Sequence, residues 1–202
     1  MNISQFGAVV LAAAAAAALA PAANAQTAPA PPPSGPALPG VCVLSKDRMI
    51  FGSVVGKYVV SRLDQLKAQA DAELNSENTT IVNDAKTLEG QQATLPVDQY
   101  QQRAGLINQR VAALQRKAQL RNREIGATQE KAFNRIATEV DPIIRQVFTQ
   151  RSCSLLLDGV ALIYPAPAMD VTDAVIRSMD GKLQQFPFDR EHLDQQPDGA
   201  AR

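Results

Sequence analysis

Residues 55 to 88, VGKYVVSRLDQLKAQADAELNSENTTIVNDAKTL, decide the fold. Apolar or small side chains stand at Val55, Val59, Leu63, Leu66, Ala70, Leu74, Ile81, Ala85 and Leu88, with Glu77 filling one slot. The spacings run four, four, three and repeat, a period of eleven residues in three turns. That ratio lies near the 3.6 residues per turn of a straight α-helix, so the stripe holds one face with little supercoiling. No proline interrupts residues 53 to 95. The pattern predicts a helix of about 40 residues, reaching about 60 Å at 1.5 Å per residue.

A second stripe starts after the break from Glu89-Gly90 to Leu95-Pro96. Tyr100, Ala104, Ile107, Val111, Leu114, Ala118, Ile125 and Ala132 alternate fours and threes, a heptad seam into which Arg121 intrudes. It passes into Phe133, Ile136, Val140, Ile143 and Val147, with Pro142 placed to kink the base. Two long helices around a short Gly/Pro-containing break predict an antiparallel hairpin over residues 53–150. The alternative is one continuous rod, with Gly90 and Pro96 inside the helix.

The start of the chain reads as a targeting signal. Residues 1–25 hold an apolar run from Ala8 to Ala20, then Pro21 and Ala23-Asn24-Ala25, an A-x-A-like cleavage site before Gln26. The run is short for a bilayer span of about 30 Å. Export follows, with a soluble mature protein after cleavage at Ala25. Residues 26–40 carry six prolines and read as a disordered leader. The remainder has no Trp, three Tyr and six Phe in the whole chain, and much Ala and Gln. Such a composition suits long helices burying a narrow seam better than a large globular core.

Strand-like segments meet at the foot of the hairpin. Val41-Cys42-Val43-Leu44 precedes it; Leu155-Leu156-Leu157 follows, then Asp158-Gly159 and Val160 to Tyr164. Asp-Gly between apolar runs signals a two-residue β-hairpin. Asp170 or Thr172 then caps a short helix reaching Met179. Three strands and one helix make a poor independent core, so this platform, residues 41–52 and 151–180, is expected to close by oligomerisation. Residues 181–202 read as a flexible tail, in which Phe186 and Phe188 either dock on the body or are unused. The fold class is mainly α with a small β body: a long antiparallel helical hairpin inserted in a short-stranded oligomerisation platform.

At this point the residues resemble a family. Leu155-Leu156-Leu157-Asp158, Ile163-Tyr164 and Met169-Asp170-Val171-Thr172-Asp173-Ala174-Val175-Ile176, with the helix entry Ser53-Val54-Val55-Gly56-Lys57, are similar to the Skp/OmpH family of periplasmic chaperones for outer-membrane proteins. The resemblance implies a homotrimer with a β-rich body and three hairpin tentacles around a cavity for unfolded outer-membrane proteins. Members are often basic, whereas this chain has twenty Lys plus Arg and twenty Asp plus Glu. Its basic groups gather on the second helix: Arg103, Arg110, Arg116, Lys117, Arg121 and Arg123. They pair across the hairpin or form a face that attracts acidic clients or an anionic membrane surface through screened, long-range forces. The neutral total and export argue against nucleic acid.

The two cysteines, Cys42 and Cys153, lie in and beside strand-like segments. An oxidising compartment favours their pairing as a disulfide; two buried free thiols are the alternative. At the hairpin tip, Leu95, Val97 and Tyr100 are candidate client contacts or simple turn packing. Enzymatic chemistry has little support. His192, the single histidine, lies in a polar tail, and no set of ligands suggests a metal or other cofactor. Gly52-Ser53-Val54-Val55-Gly56-Lys57 mimics a phosphate loop but is one residue short, with Tyr58 where Ser or Thr belongs. The expected function is an ATP-independent holdase; the alternative is a structural coiled-coil spacer or tether of the envelope.

Overall fold

The two stripes form two helices. In the computed structural model, residues 35–194 are described. The elements are β1 (Val41–Leu44), α1 (Lys46–Gly52), α2 (Val54–Gly90), α3 (Val97–Gln150), β2 (Leu155–Asp158) and α4 (Thr172–Asp180). The expected signal peptide and the leader through residue 34 lie outside the described residues.

The helices are antiparallel. The pairs Asp84–Arg110, Glu77–Lys117 and Glu73–Arg121 move by equal steps in opposite directions along α2 and α3. Gly90 ends α2, and the amides of Gln91, Thr94 and Leu95 close a turn on the carbonyls of Leu88 and Gln91. A continuous rod is thereby excluded. Along α2 the eleven-residue stripe is the buried face: Val55, Val59, Leu63, Leu66, Ala70, Ile81 and Leu88. Along α3 the seam departs from the heptad expectation. The buried positions are Glu124, Thr128, Ala132, Ile136, Val140, Ile143 and Val147, whereas Ile125 is half-buried and Val111 exposed. A straight helix drifts about 20° per heptad, which moves the contact line one residue back from Ile125 to Glu124. Pro142 sits within α3 on its exposed face, and the helix runs through it.

At the foot, β1 and β2 pair in parallel, Val41 opposite Leu155 and Leu44 opposite Asp158. A parallel pair needs a long crossover; here the crossover is the whole helical hairpin. On its other edge β1 meets the Asp170 segment, where the Val171 amide donates to Val43 O at 2.9 Å. The third expected strand, Val160 to Tyr164, does not form. Asp158 instead accepts from the Val160 amide at 3.2 Å and opens a 3-10 turn over Gly159–Ala161, its carboxylate 3.0 Å from Lys46. The physical reason is the lack of a neighbour: Val160, Ile163 and Tyr164 are 78%, 85% and 66% exposed in the single chain. Residues 46–52, expected in the β body, form α1 instead, capped by Ser45.

Two tight joints set the hairpin on this foot. Ser53 ends α1 and caps α2, its hydroxyl donating to Ile50 O at 2.7 Å and accepting from the Gly56 amide at 3.1 Å. At the other end α3 stops in a Schellman turn: the Cys153 amide donates to Phe148 O and Ser152 N to Thr149 O, with Ser152 at φ 53°. That turn delivers Cys153 to the start of β2, where it is bridged to Cys42 across a Cα separation of 5.7 Å.

The tail also differs from the expectation of a flexible segment from residue 181. Residues 182–194 run without regular structure as a strap against the hairpin, with Phe186 buried in the main core beside Leu183 and Phe188. Phe186 and Phe188 take the docked alternative, which the sequence leaves open because a strap held by side chains carries no periodicity.

Asp170 joins several parts of the foot. Its carboxylate accepts from the Thr172 amide at 2.8 Å and from Arg48 at 2.7 Å, while Thr172 Oγ1 accepts from the Ser45 amide at 2.9 Å. Burial alone raises its pKa, but the hydrogen bonds of Thr172 and the charge of Arg48 prevail and hold it below the ordinary aspartate range. A folded-state pKa below the unfolded one gives stability that is full above about pH 5 and is lost as pH falls through the folded value. Urea midpoints measured from pH 6 to pH 3 are expected to fall, and Asp170→Asn to flatten that slope. Parallel slopes for the two proteins would refute the assignment.

Candidate functional site

The hairpin is the candidate working surface, and its polar groups divide into a paired set and an open set. Arg110 pairs with Asp84, Lys117 with Glu77 at 2.7 Å, and Arg121 with Glu73 at 3.3 Å and Glu124 at 2.8 Å. Arg103 donates to Gln91 Oε1 at 3.1 Å. Arg116 and Arg123 are exposed and make no ion pair among the described residues. Half of the expected basic face thus answers carboxylates across the seam, whereas Arg103, Arg116 and Arg123 face no carboxylate among the described residues.

A charged layer crosses the middle of the hairpin. Glu124 is fully buried; its Oε2 faces Arg121, and its Oε1 accepts from the Leu193 amide at 3.3 Å. Arg190 of the strap reaches the same carboxylate, with Nε 3.3 Å from Glu124 Oε2, an ion-pair distance without hydrogen-bond alignment. Burial weakens the hold of Arg121 on its proton, but Glu124 and Glu73 more than offset this and raise its pKa. Sequence reading saw Arg121 enter the seam and missed Glu124 and Arg190. The available signal was an Arg and a Glu three residues apart on the apolar face.

His192 and Asp194 come near Glu124, with candidate ligand atoms within 4.8 Å of one another. The arrangement is a poor cation site, because two guanidiniums already neutralise Glu124. The phosphate-loop look-alike is structural: Gly52 ends α1, Ser53 caps α2, and Gly56 passes beneath the Ile50 carbonyl.

At the tip, Leu95 and Tyr100 are half-buried in the turn, while Val97 is 72% exposed. Val82, Leu106 and Val111 are also exposed along the distal half. The first two lie off both seams, so helical periodicity does not mark them. Residues Leu88, Gln91, Leu106 and Ile107 line an open cleft of about 270 Å³ beside the tip. No helix among the described residues is long and apolar enough to cross a membrane.

These features define a class: a helical-hairpin tentacle on a small parallel-strand body, with its distinctive polar groups devoted to holding helices together. The chain belongs to the outer membrane protein (OmpH-like) family, whose pattern it matches over residues 40–179. It is similar to an OmpH-like protein from Caulobacter crescentus CB15 assigned as an outer membrane chaperone. The identity is 43%, the TM-score 0.79, and the match covers 81% of this chain and 97% of that one. No curated protein sequence matches significantly. The family is one of chaperones rather than enzymes.

Proposed function

We propose that the mature chain is an ATP-independent periplasmic holdase that keeps unfolded outer-membrane proteins from aggregating in a cavity between several hairpins. The observation that carries this reading is a long hairpin of an OmpH-like chaperone with apolar groups left outside its seam at Val82, Val97, Leu106 and Val111. Many weak, adaptable contacts retain an extended chain without fixing one pose. Such shielding keeps the edge strands of an unfolded barrel from pairing with one another. Removal of residues 1–25 places the protein in the periplasm.

Self-association supplies the cavity. Leu155, Val160, Ile163 and Tyr164 are exposed beside the short sheet, and β2 has one neighbour, β1, among the described strands. An apolar segment next to an open strand edge favours pairing with another copy, and the family resemblance makes that assembly a homotrimer. The three cations outside the seam pairs, Arg103, Arg116 and Arg123, draw acidic clients or anionic lipid from a distance.

The test is an aggregation assay in which an unfolded outer-membrane barrel protein is diluted from urea with and without the mature chain. Light scattering is expected to fall and to saturate near about three protomers per client, as for one closed trimer per chain. No suppression at several-fold excess of folded, oligomeric protein would eliminate the holdase and favour an envelope spacer.

A further inference from the structure

The strap of residues 182–194 lies beyond the family match, which ends at residue 179, yet it grips both helices. On α2, Arg62 donates to Phe188 O at 3.4 Å and pairs with Asp189 at 2.7 Å, and Tyr58 meets the Phe188 ring edge-on. On α3, the Arg135 guanidinium lies 4.4 Å from the centre of the Phe186 ring, Lys131 pairs with Glu191 at 2.8 Å, and the Glu191 amide donates to Thr128 at 2.9 Å. Between these two sets of contacts Arg190 points at both helices, 3.6 Å from Glu73 of α2 and 3.3 Å from Glu124 of α3.

The height of that contact matters. Every buried residue of α3 falls between Glu124 and Val147, and none between Val97 and Arg123. Below Glu124 the helices share an apolar core with the body. Above it they are held by a thinner seam and by the partly exposed pairs Glu77–Lys117 and Asp84–Arg110, which salt and water weaken. The boundary itself is charged: Glu73 and Glu124 against Arg121 and Arg190. Arg190 is mostly withdrawn from solvent, and removing one partner of a buried charge group leaves the rest uncompensated.

We propose that the strap is a brace, in which Arg190 ties Glu73 to Glu124 and so sets the height at which the rigid base of the tentacle ends and its compliant arm begins. Without the arginine, Arg121 alone serves two carboxylates, water enters beside Glu124, and the compliant region extends downward. The inference does not depend on client binding.

Hydrogen exchange on the full mature chain tests it. In Arg190→Gln, amides in residues 66–80 and 117–130 are expected to exchange about tenfold faster, a local opening, while β1 and α4 keep their protection. Arg190→Lys, which restores charge without the planar fork, is expected to recover part of that protection. Unchanged exchange around Glu73 and Glu124 overturns the brace. So does equal acceleration through β1 and α4, which means the arginine stabilises the whole fold rather than one level of the hairpin.

Discussion

Opening the Cys42–Cys153 bridge is expected to lower the unfolding free energy by about 4 to 5 kcal/mol, the chain-entropy value for a link joining residues 111 apart. The large effect follows from topology. β1 and β2 have four residues each, pair in parallel, and are connected through the entire hairpin. In the unlinked unfolded chain these short strands must find each other across all of α2 and α3, a costly loop closure for few hydrogen bonds. The bridge removes that search from the unfolded state, and it lies where the Schellman turn of α3 enters the sheet.

Urea unfolding of the oxidised protein, the same protein with a reductant, and Cys42→Ala/Cys153→Ala would measure this. Protomer concentration must be fixed, since assembly adds to apparent stability. The reduced and double-alanine proteins are expected to share a lowered midpoint, with a steeper slope because the unlinked chain exposes more surface. Coinciding midpoints for oxidised and reduced protein would show that the foot is held by packing alone.

What could be read from the sequence, and what could not, divides by the range of the interactions. The eleven-residue stripe of α2 is a local pattern repeated over ten turns, so the buried set from Val55 to Leu88 was legible from spacing. The break at Glu89 to Pro96 was legible for the same reason: Gly and Pro act on their own backbone. Asp158-Gly159 misled because a turn signal is necessary for a β-hairpin and insufficient for one. With no strand neighbour for Val160 to Tyr164 among the described residues, Asp158 uses its side chain on Val160 and Lys46 instead. The middle of α3 misled differently, since continuing the heptad through Arg121 kept Ile125 in the seam, whereas Arg190 from the strap makes burial of Glu124 tolerable. A partner about 66 positions away leaves no trace in helical periodicity.

Gly56→Ala carries the second large expected effect. A Cβ built at Gly56 would lie 1.8 Å from Ile50 O and 2.7 Å from the carbonyl carbon, and these are backbone atoms. No rotamer change relieves the clash, so α1 must move away from α2. That shift reaches the core, because α1 carries buried Met49 and holds Arg48 against Asp170. It also breaks the joint at Ser53, whose hydroxyl depends on both Ile50 O and the Gly56 amide. A loss of about 3 kcal/mol is expected, the upper end of overpacking costs. Gly105 and Gly126 in α3 give the control: a Cβ at either meets nothing within 4 Å. There the same substitution is expected to be neutral or to stabilise by up to about 1 kcal/mol, as alanine replaces glycine within a helix. Thermal unfolding of the three variants should therefore separate one glycine from the other two in sign as well as size. If Gly56→Ala proved as stable as Gly126→Ala, the close passage of α1 over α2 would be wrong. The phosphate-loop look-alike would then lose its structural explanation.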